Sequence, residues 1–199
     1  IYLNEPPTDL PEDSDRMWRD LIVDLRKTFS GNLVWVTRVG QKADPLPEFV
    51  LIFDGIYIIV DSPLSTGEDP DFEEIAYGFT NTVDQNIYEI YRSTELPIFI
   101  GLGYPSADEA AKGCLLINDR CDNDGIFLSD EVESIGTNLG IQELIYEAIL
   151  PVIASRPWIE GTSIRGYDPV IVSHDQTSSI AGKPAEAIIS DWFTRINSQ

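Results

Sequence analysis

The sequence predicts an α/β fold built on a parallel sheet. Three observations carry that expectation: five apolar runs of strand length, amphipathic stretches with 3.6-residue spacing between them, and the regular alternation of the two. Strands separated by helices pair in parallel, because the crossover returns the chain to the same edge of the sheet. The chain has 199 residues, 43% of them hydrophobic, and a mean hydropathy of −0.09. That suits a single domain over 1–199 with a sizeable core, and neither repeats nor low-complexity segments divide it.

A first strand, Ile1 to Leu3, ends at Asn4. Asp13, Ser14 or Asp15 can cap a helix that sets Trp18, Leu21, Ile22, Leu25 and Phe29 on one face and stops at Gly31. "NLVWVTR" (32–38) is a continuous apolar strand, the mark of a sheet covered on both faces. "LPEFVLIF" (46–53) suits a short helix, and "GIYIIVDS" (55–62) a second buried strand. From Pro70 to Arg92 the stripe Phe72, Ile75, Ala76, Phe79, Val83, Ile87 and Ile90 predicts one long helix. "PIFIGLG" (97–103) is the next strand, followed by a polar loop to about Gly136 that exceeds most βα connections. Ile141, Leu144, Ile145, Ala148, Ile149, Val152 and Ile153 recur at helical spacing in the strongest helix of the chain. "WIEGTSI" (158–164) is the last strand, and "KPAEAIISDWFTRI" (183–196) a closing helix.

Thirty-four acidic residues against 13 basic ones give a net charge of −21 and a pI near 4.1. Nucleic acid and anionic membrane both require a basic footprint, so neither is a partner. The apolar stretch "FVLIFDGIYIIVDS" is broken by Asp54 and Gly55, and no run reaches the ~20 residues of a membrane span. Cys114 and Cys121 enclose six residues, a spacing foreign to zinc and CxxC redox motifs; a small disulfide loop and two free thiols are both open. A single histidine, His174, rules out a multi-histidine metal site, and Ser173 beside it makes no triad. No cofactor is expected.

Five βα units fit either an open doubly wound sheet or part of a closed eight-stranded barrel, which needs ~250 residues. The turn after the first strand, "NEPPTDLPEDSD", has no glycine, and Gly101-Leu-Gly103 lacks a third, so dinucleotide binding is not supported. Four segments in order, "NEP", "GYPSADEAAKG", "RPWIEG" and "GKPAEAII", resemble the C-terminal portion of a (β/α)8 TIM-barrel glycoside hydrolase of the large retaining clan. The resemblance runs from barrel strand four to the last helix and is closest to bacterial members.

The resemblance implies that Glu5 is the general acid and base and that Asn4 holds the sugar 2-hydroxyl. A retaining mechanism pairs such an acid with a second carboxylate ~5–5.5 Å away that attacks the anomeric carbon. Related sequences place that glutamate at the end of strand seven, where this chain runs from Gly101 straight to Leu102. The nucleophile is absent, as if one position were missing. Asp61 ends the sixth strand on the same rim and suits an inverting pair with Glu5, at ~6.5–9.5 Å, or a loop cap. Trp35, Tyr57, Tyr104 and Tyr167 are candidate sugar platforms, the first two as readily core residues. Arg165 at the end of the last strand suits a carboxylated sugar, or neutralisation of Glu5 or Asp61.

The expected function is a glycoside hydrolase-like protein that hydrolyses or binds a β-linked polysaccharide or oligosaccharide in an extracellular or envelope setting. The alternative is a catalytically inactive barrel kept as a carbohydrate-binding or structural surface component. Strands four to eight alone leave two unpaired edges, so an N-terminal half-barrel of three more βα units, in the same polypeptide or a separate chain, is an expected partner. The absence of an initiator methionine agrees with that expectation.

Overall fold

The computed structural model describes residues 2–3, 13–39, 46–113, 116–117, 120–121, 136–171 and 175–196. Its elements in chain order are β1 (Tyr2–Leu3), α1 (Ser14–Arg26), β2 (Val34–Arg38), β3 (Gly55–Val60), α2 (Phe72–Thr82), α3 (Tyr88–Thr94), β4 (Ile98–Leu102), β5 (Leu116–Ile117), β6 (Arg120–Cys121), α4 (Leu139–Ala154), β7 (Ile159–Ile164) and α5 (Pro184–Ile196). Strands β1, β2, β3, β4 and β7 form one sheet in that order, every pair parallel. The strand and helix alternation and the parallel pairing are those the sequence predicts.

Apolar runs form these strands because both faces must avoid water, yet among the described residues helices cover only one face. Ile56, Ile58 and Val60 of β3 and Ile98, Ile100 and Leu102 of β4 point to that face and are fully buried. Each such side chain contributes roughly 1.5–3 kcal/mol, so these six anchor the core. Helix α4 lies between α2 and α5 and presents Ile145, Ala148, Ile149 and Ile153. Trp35 fills the same layer beside α1: Trp18 meets its ring edge-on at 5.4 Å and stacks on Phe49 at 5.3 Å. The opposite face carries Val34, Tyr57 and Phe99, each half-buried, around an open groove of about 370 Å³. A doubly wound sheet is covered on both faces; this one-sided cover and sequential strand order are those of a barrel wall.

Three local features differ from the periodicity reading. The long helix is continuous from Phe72 to Thr94 but contains a π-helical turn at Val83–Ile87. Its buried residues Ile75, Phe79, Val83 and Ile87 recur every fourth position, and each such step overshoots a 3.6-residue turn by about 40°. One wider turn brings the stripe back onto the core. The segment 46–53 holds a 3₁₀ turn, Glu48–Ile52, that buries Phe49 and Val50. Leu21 of α1 is 43% exposed and lies off the buried face that Ile22 occupies.

Asp54 ties the first βα unit together. Its carboxylate accepts from the Arg26 guanidinium and, at 2.6 Å, from the Leu33 amide, while Arg26 also donates to the Gly31 carbonyl at 2.7 Å. The guanidinium, followed by the Leu33 amide, holds the Asp54 carboxyl below its ordinary value of 3.8. A depressed folded-state value contributes stability above that pH and loses it as the pH falls through the folded-state value. Asp54→Asn is expected to lower Tm at pH 7, with the gap to the parent protein closing as pH drops below 3.8. Thermal melts across that range check this; a gap of constant size would show that the charge is not what Asp54 contributes.

Candidate functional site

Parallel strands bring their C-terminal ends to one rim, and βα loops build on it. Side chains on the helix-free face of that rim are therefore the candidates. Register places Arg38, Tyr57, Ile59, Gly101 and Ser163 on this face, alternating with the core residues. Arg38 forms an ion pair with Asp61, the residue after β3. Asp61 is only 7% exposed, so the guanidinium compensates a carboxylate largely removed from water. Arg165 follows β7, its amide donating to the Leu102 carbonyl at 2.7 Å. A Cβ on Gly103 would meet the Arg165 Cβ at 3.6 Å, which sets the two on one face. Asp61, Gly103 and Arg165 are thus neighbours on successive strand ends, with Arg38 alongside.

Below them, Tyr57 and Ser163 join their hydroxyls at 2.7 Å across β4. This bridge requires glycine at 101, where a Cβ would stand 2.1 Å from the Tyr57 hydroxyl oxygen. Phe99 lies likewise between Gly55 and Gly161, whose Cβ atoms would approach its ring to 3.0 and 3.1 Å. The groove lies beneath this bridge, among Asn32, Val34, Tyr57, Phe99, Gly161, Thr162 and Ser163. It is separate from the rim and mainly apolar in its lining.

Of the residues singled out from sequence, Asp61, Arg165 and Tyr57 come together on the helix-free face. Tyr167, 57% exposed, stands on the loop just after Arg165. Trp35 is enclosed by Trp18, Phe49 and Phe53 on the helix side, the core position that its place within a strand allowed. Tyr104 is fully buried and has no open ring face: its hydroxyl donates to the Ser62 carbonyl at 3.1 Å, and its amide donates to the Tyr146 hydroxyl at 3.4 Å. Burial pushes both phenols far above their ordinary range, so both stay neutral. Asn4, Glu5, Cys114 and His174 lie outside the described residues.

Composition and spacing gave no hint of the polar cluster behind the rim. The Lys183 ammonium donates to the Ser106 hydroxyl at 2.8 Å and the Thr177 carbonyl at 3.0 Å, and pairs with Asp175 at 3.1 Å. The Lys183 and Asp175 side chains are 5% and 8% exposed. Burial holds the Lys183 ammonium below its ordinary range, with Asp175 opposing that shift. For Asp175 burial acts upward but is outweighed by hydrogen bonds from the Thr177 hydroxyl and amide and from Lys183, so its carboxyl lies below the ordinary range. Gln142 of α4 donates to the Tyr104 carbonyl at 2.9 Å from the same region. "GYPS" and "GKPAEA" meet here, far apart in sequence and joined through Ser106 and Lys183. Among the described residues no group of acidic, cysteine or histidine side chains could hold a metal ion, and no helix is long and apolar enough to cross a membrane.

The parallel α/β wall is a fold that solved TIM-barrel glycoside hydrolases share. A GH113 β-1,4-mannanase, solved alone and as a complex, superposes with a TM-score of 0.65 at 23% identity, over 92% of this chain and 52% of the mannanase. A β-glucuronidase from Ruminococcus gnavus in complex with uronic deoxynojirimycin matches at TM-score 0.57 and 13% identity, over 94% of this chain and 31% of the enzyme. Faecalibacterium prausnitzii β-glucuronidase matches at 0.58 and 13%, over 96% and 30%. The chain spans about half the length of the mannanase, and at these identities the likeness is one of fold: a parallel α/β wall of the TIM-barrel glycoside hydrolase kind. No protein-family model and no curated protein sequence matches the chain.

The bridge under the rim predicts a steric coupling. Gly101→Ala should cost on the order of 1–3 kcal/mol, because the new methyl displaces the Tyr57 ring end. In the double variant with Tyr57→Ala the alanine at 101 should cost markedly less. Urea unfolding of the four proteins in a double-mutant cycle measures this, and additive losses would refute the coupling.

Proposed function

We propose that this is a glycoside hydrolase-like protein that holds a β-linked oligosaccharide at the C-terminal rim of its sheet without performing retaining hydrolysis. The observation that carries the reading is the end of β4. Its helix-free face offers Gly101 and then Gly103, so no carboxylate stands there between Asp61 and Arg165. Double displacement needs a carboxylate ~5–5.5 Å from the acid, and covalent catalysis has no step without one. The rim residues suit binding instead. Asp61 and Arg38 offer an acceptor and a donor to sugar hydroxyls, Arg165 a planar donor fork, and Tyr167 an exposed ring for the apolar face of a pyranose. Asn4 and Glu5 complete the edge in this proposal, as the motif resemblance implies.

The remaining βα units, in the same polypeptide or a separate chain, belong to the proposal too. The apolar groove around Phe99 and the exposed Met17 and Leu21 of α1 are surfaces that a further barrel wall would bury. An extracellular or envelope setting accords with the net charge of −21. A second reading, inverting hydrolysis with Glu5 as acid and Asp61 as base, is favoured by the position of Asp61 on the rim.

One screen separates these readings. β-1,4-mannooligosaccharides, β-glucan oligosaccharides and β-glucuronides are titrated calorimetrically, and reducing ends are assayed in parallel. Saturable binding without turnover is expected, with affinity falling roughly tenfold in Arg165→Ala and no reducing-end release from either the parent or Glu5→Gln. Reducing-end release that Glu5→Gln abolishes would replace binding by hydrolysis. Full turnover in Asp61→Asn would then remove Asp61 from the mechanism.

A further inference from the structure

The Lys183 cluster joins three parts of the chain that have no backbone ladder in common. Ser106 lies in the loop after β4, Asp175 and Thr177 in the loop after β7, and Lys183 immediately before α5. The Ser106 hydroxyl accepts from Lys183 and lies 2.6 Å from the Asp175 carbonyl, to which it donates. The Ser106 amide donates to the Gln176 and Thr177 carbonyls, and the Ser106 carbonyl accepts from Asn138 at the start of α4. A lysine ammonium 2.8 Å from a serine hydroxyl would suit a nucleophilic pair, but Ser106 exposes no surface and no substrate reaches it.

What the cluster holds is the rim. Ser178 packs beneath Gly103 and Gly166, where a Cβ on Gly166 would stand 2.1 Å from its hydroxyl oxygen. Gly166, between Arg165 and Tyr167, adopts a φ of +76°, a backbone conformation that glycine takes without strain. The Ser179 hydroxyl accepts from the Asp168 amide and donates to its carbonyl, both at 3.1 Å. Segment 175–183 is therefore the floor on which Gly103 and 165–168 rest, and Lys183 with Asp175 and Ser106 anchors both ends of that floor.

We propose that Lys183, Asp175 and Ser106 form a positioning latch that fixes the loops after β4 and β7 in one register, so that Arg165 and Tyr167 are presented as a preformed glycan-binding edge. The glycan part rests on the function proposed above; the ordering of the two loops does not. A buried ion pair commonly adds little net stability relative to an apolar pair, whereas loss of one partner strands the other charge. Retaining the pair is thus explained by the geometry that it enforces.

The test compares the chain with Lys183→Met, Lys183→Met/Asp175→Asn and Ser106→Ala. Lys183→Met strands the carboxylate and should lower Tm by roughly 10 °C, and the double variant should recover most of that loss. The Asp175→Asn change in it retains an oxygen acceptor for the Thr177 amide, which bonds that side chain in the parent. Amide exchange at 103–107 and 165–168 should nevertheless run at least about tenfold faster in the double variant than in the parent, with β3 unchanged. Ser106→Ala, which keeps the ion pair, should accelerate the same amides by a smaller factor and serves if the double variant does not fold. Unchanged exchange at the rim, or equal acceleration everywhere, overturns the latch. Titration with the oligosaccharide that the parent binds should show affinity falling with the loss of rim protection. Equal affinity in parent and double variant overturns the positioning role, while absence of binding in the parent overturns the glycan reading and leaves exchange to decide the latch.

Discussion

One ammonium and one carboxylate, buried together behind the rim, constrain the upper half of this molecule. Lys183 and Asp175 are nearly removed from water, so neither is tolerable without the other. The loops that carry them cannot drift apart without exposing or stranding a charge. Through Ser106 the constraint reaches the loop after β4, and the Gln142 amide ties the Tyr104 carbonyl to α4. Tyr104 in turn bonds the Ser62 carbonyl after β3. Three successive βα loops are thus connected by buried polar contacts, each satisfied by a group from a different element.

Beneath the rim the constraint is steric. On the helix-free face each bulky ring lies over a glycine of a neighbouring strand: Tyr57 over Gly101, Phe99 beside Gly55 and Gly161. Strands of a barrel wall are tilted and close at their centre, and alternating large and small residues is one way to fill a narrowing interior. The same packing decides chemistry at the rim. A residue that must be glycine so that Tyr57 reaches Ser163 cannot also supply a carboxylate.

Much of this fold was legible because burial leaves a periodic trace. Ile56, Ile58 and Val60 alternate, α4 repeats its apolar residues at helical spacing, and both patterns survive in the structure. Periodicity also hid something: the every-fourth-residue stripe of α2 and α3 reads as one plain helix, although it requires a π turn at 83–87. The rim was only partly legible. Asp61 and Arg165 could be placed from their positions at strand ends, but the Arg38–Asp61 pair joins two strands and leaves no local pattern. Tyr104 looked like a platform because it opens a loop, and only the fold shows that it points inward, between Ser62 and Tyr146. Lys183 is the clearest case of a residue that sequence reasoning passed over. A lone lysine before a helix is ordinarily solvated, and nothing local announces an aspartate eight positions earlier as its buried partner.

The arrangement of charge bears on what the rim can do. With 13 basic residues against 34 acidic ones, a cation placed among buried groups has been kept from the many exposed carboxylates. Two such cations, Arg38 and Lys183, face single carboxylates near or behind the rim, and Arg165 stands beside the first pair. Asp61 is thereby oriented by a guanidinium and 7% exposed, which fits a fixed acceptor for a hydroxyl better than a group that must advance on an anomeric carbon. Fixed donors and acceptors favour recognition of a ligand whose hydroxyls already match them. A rim preset in this way, on loops held by a buried ion pair, is a rigid edge, and in the binding role proposed above that rigidity would lower the ordering cost of weak glycan contacts.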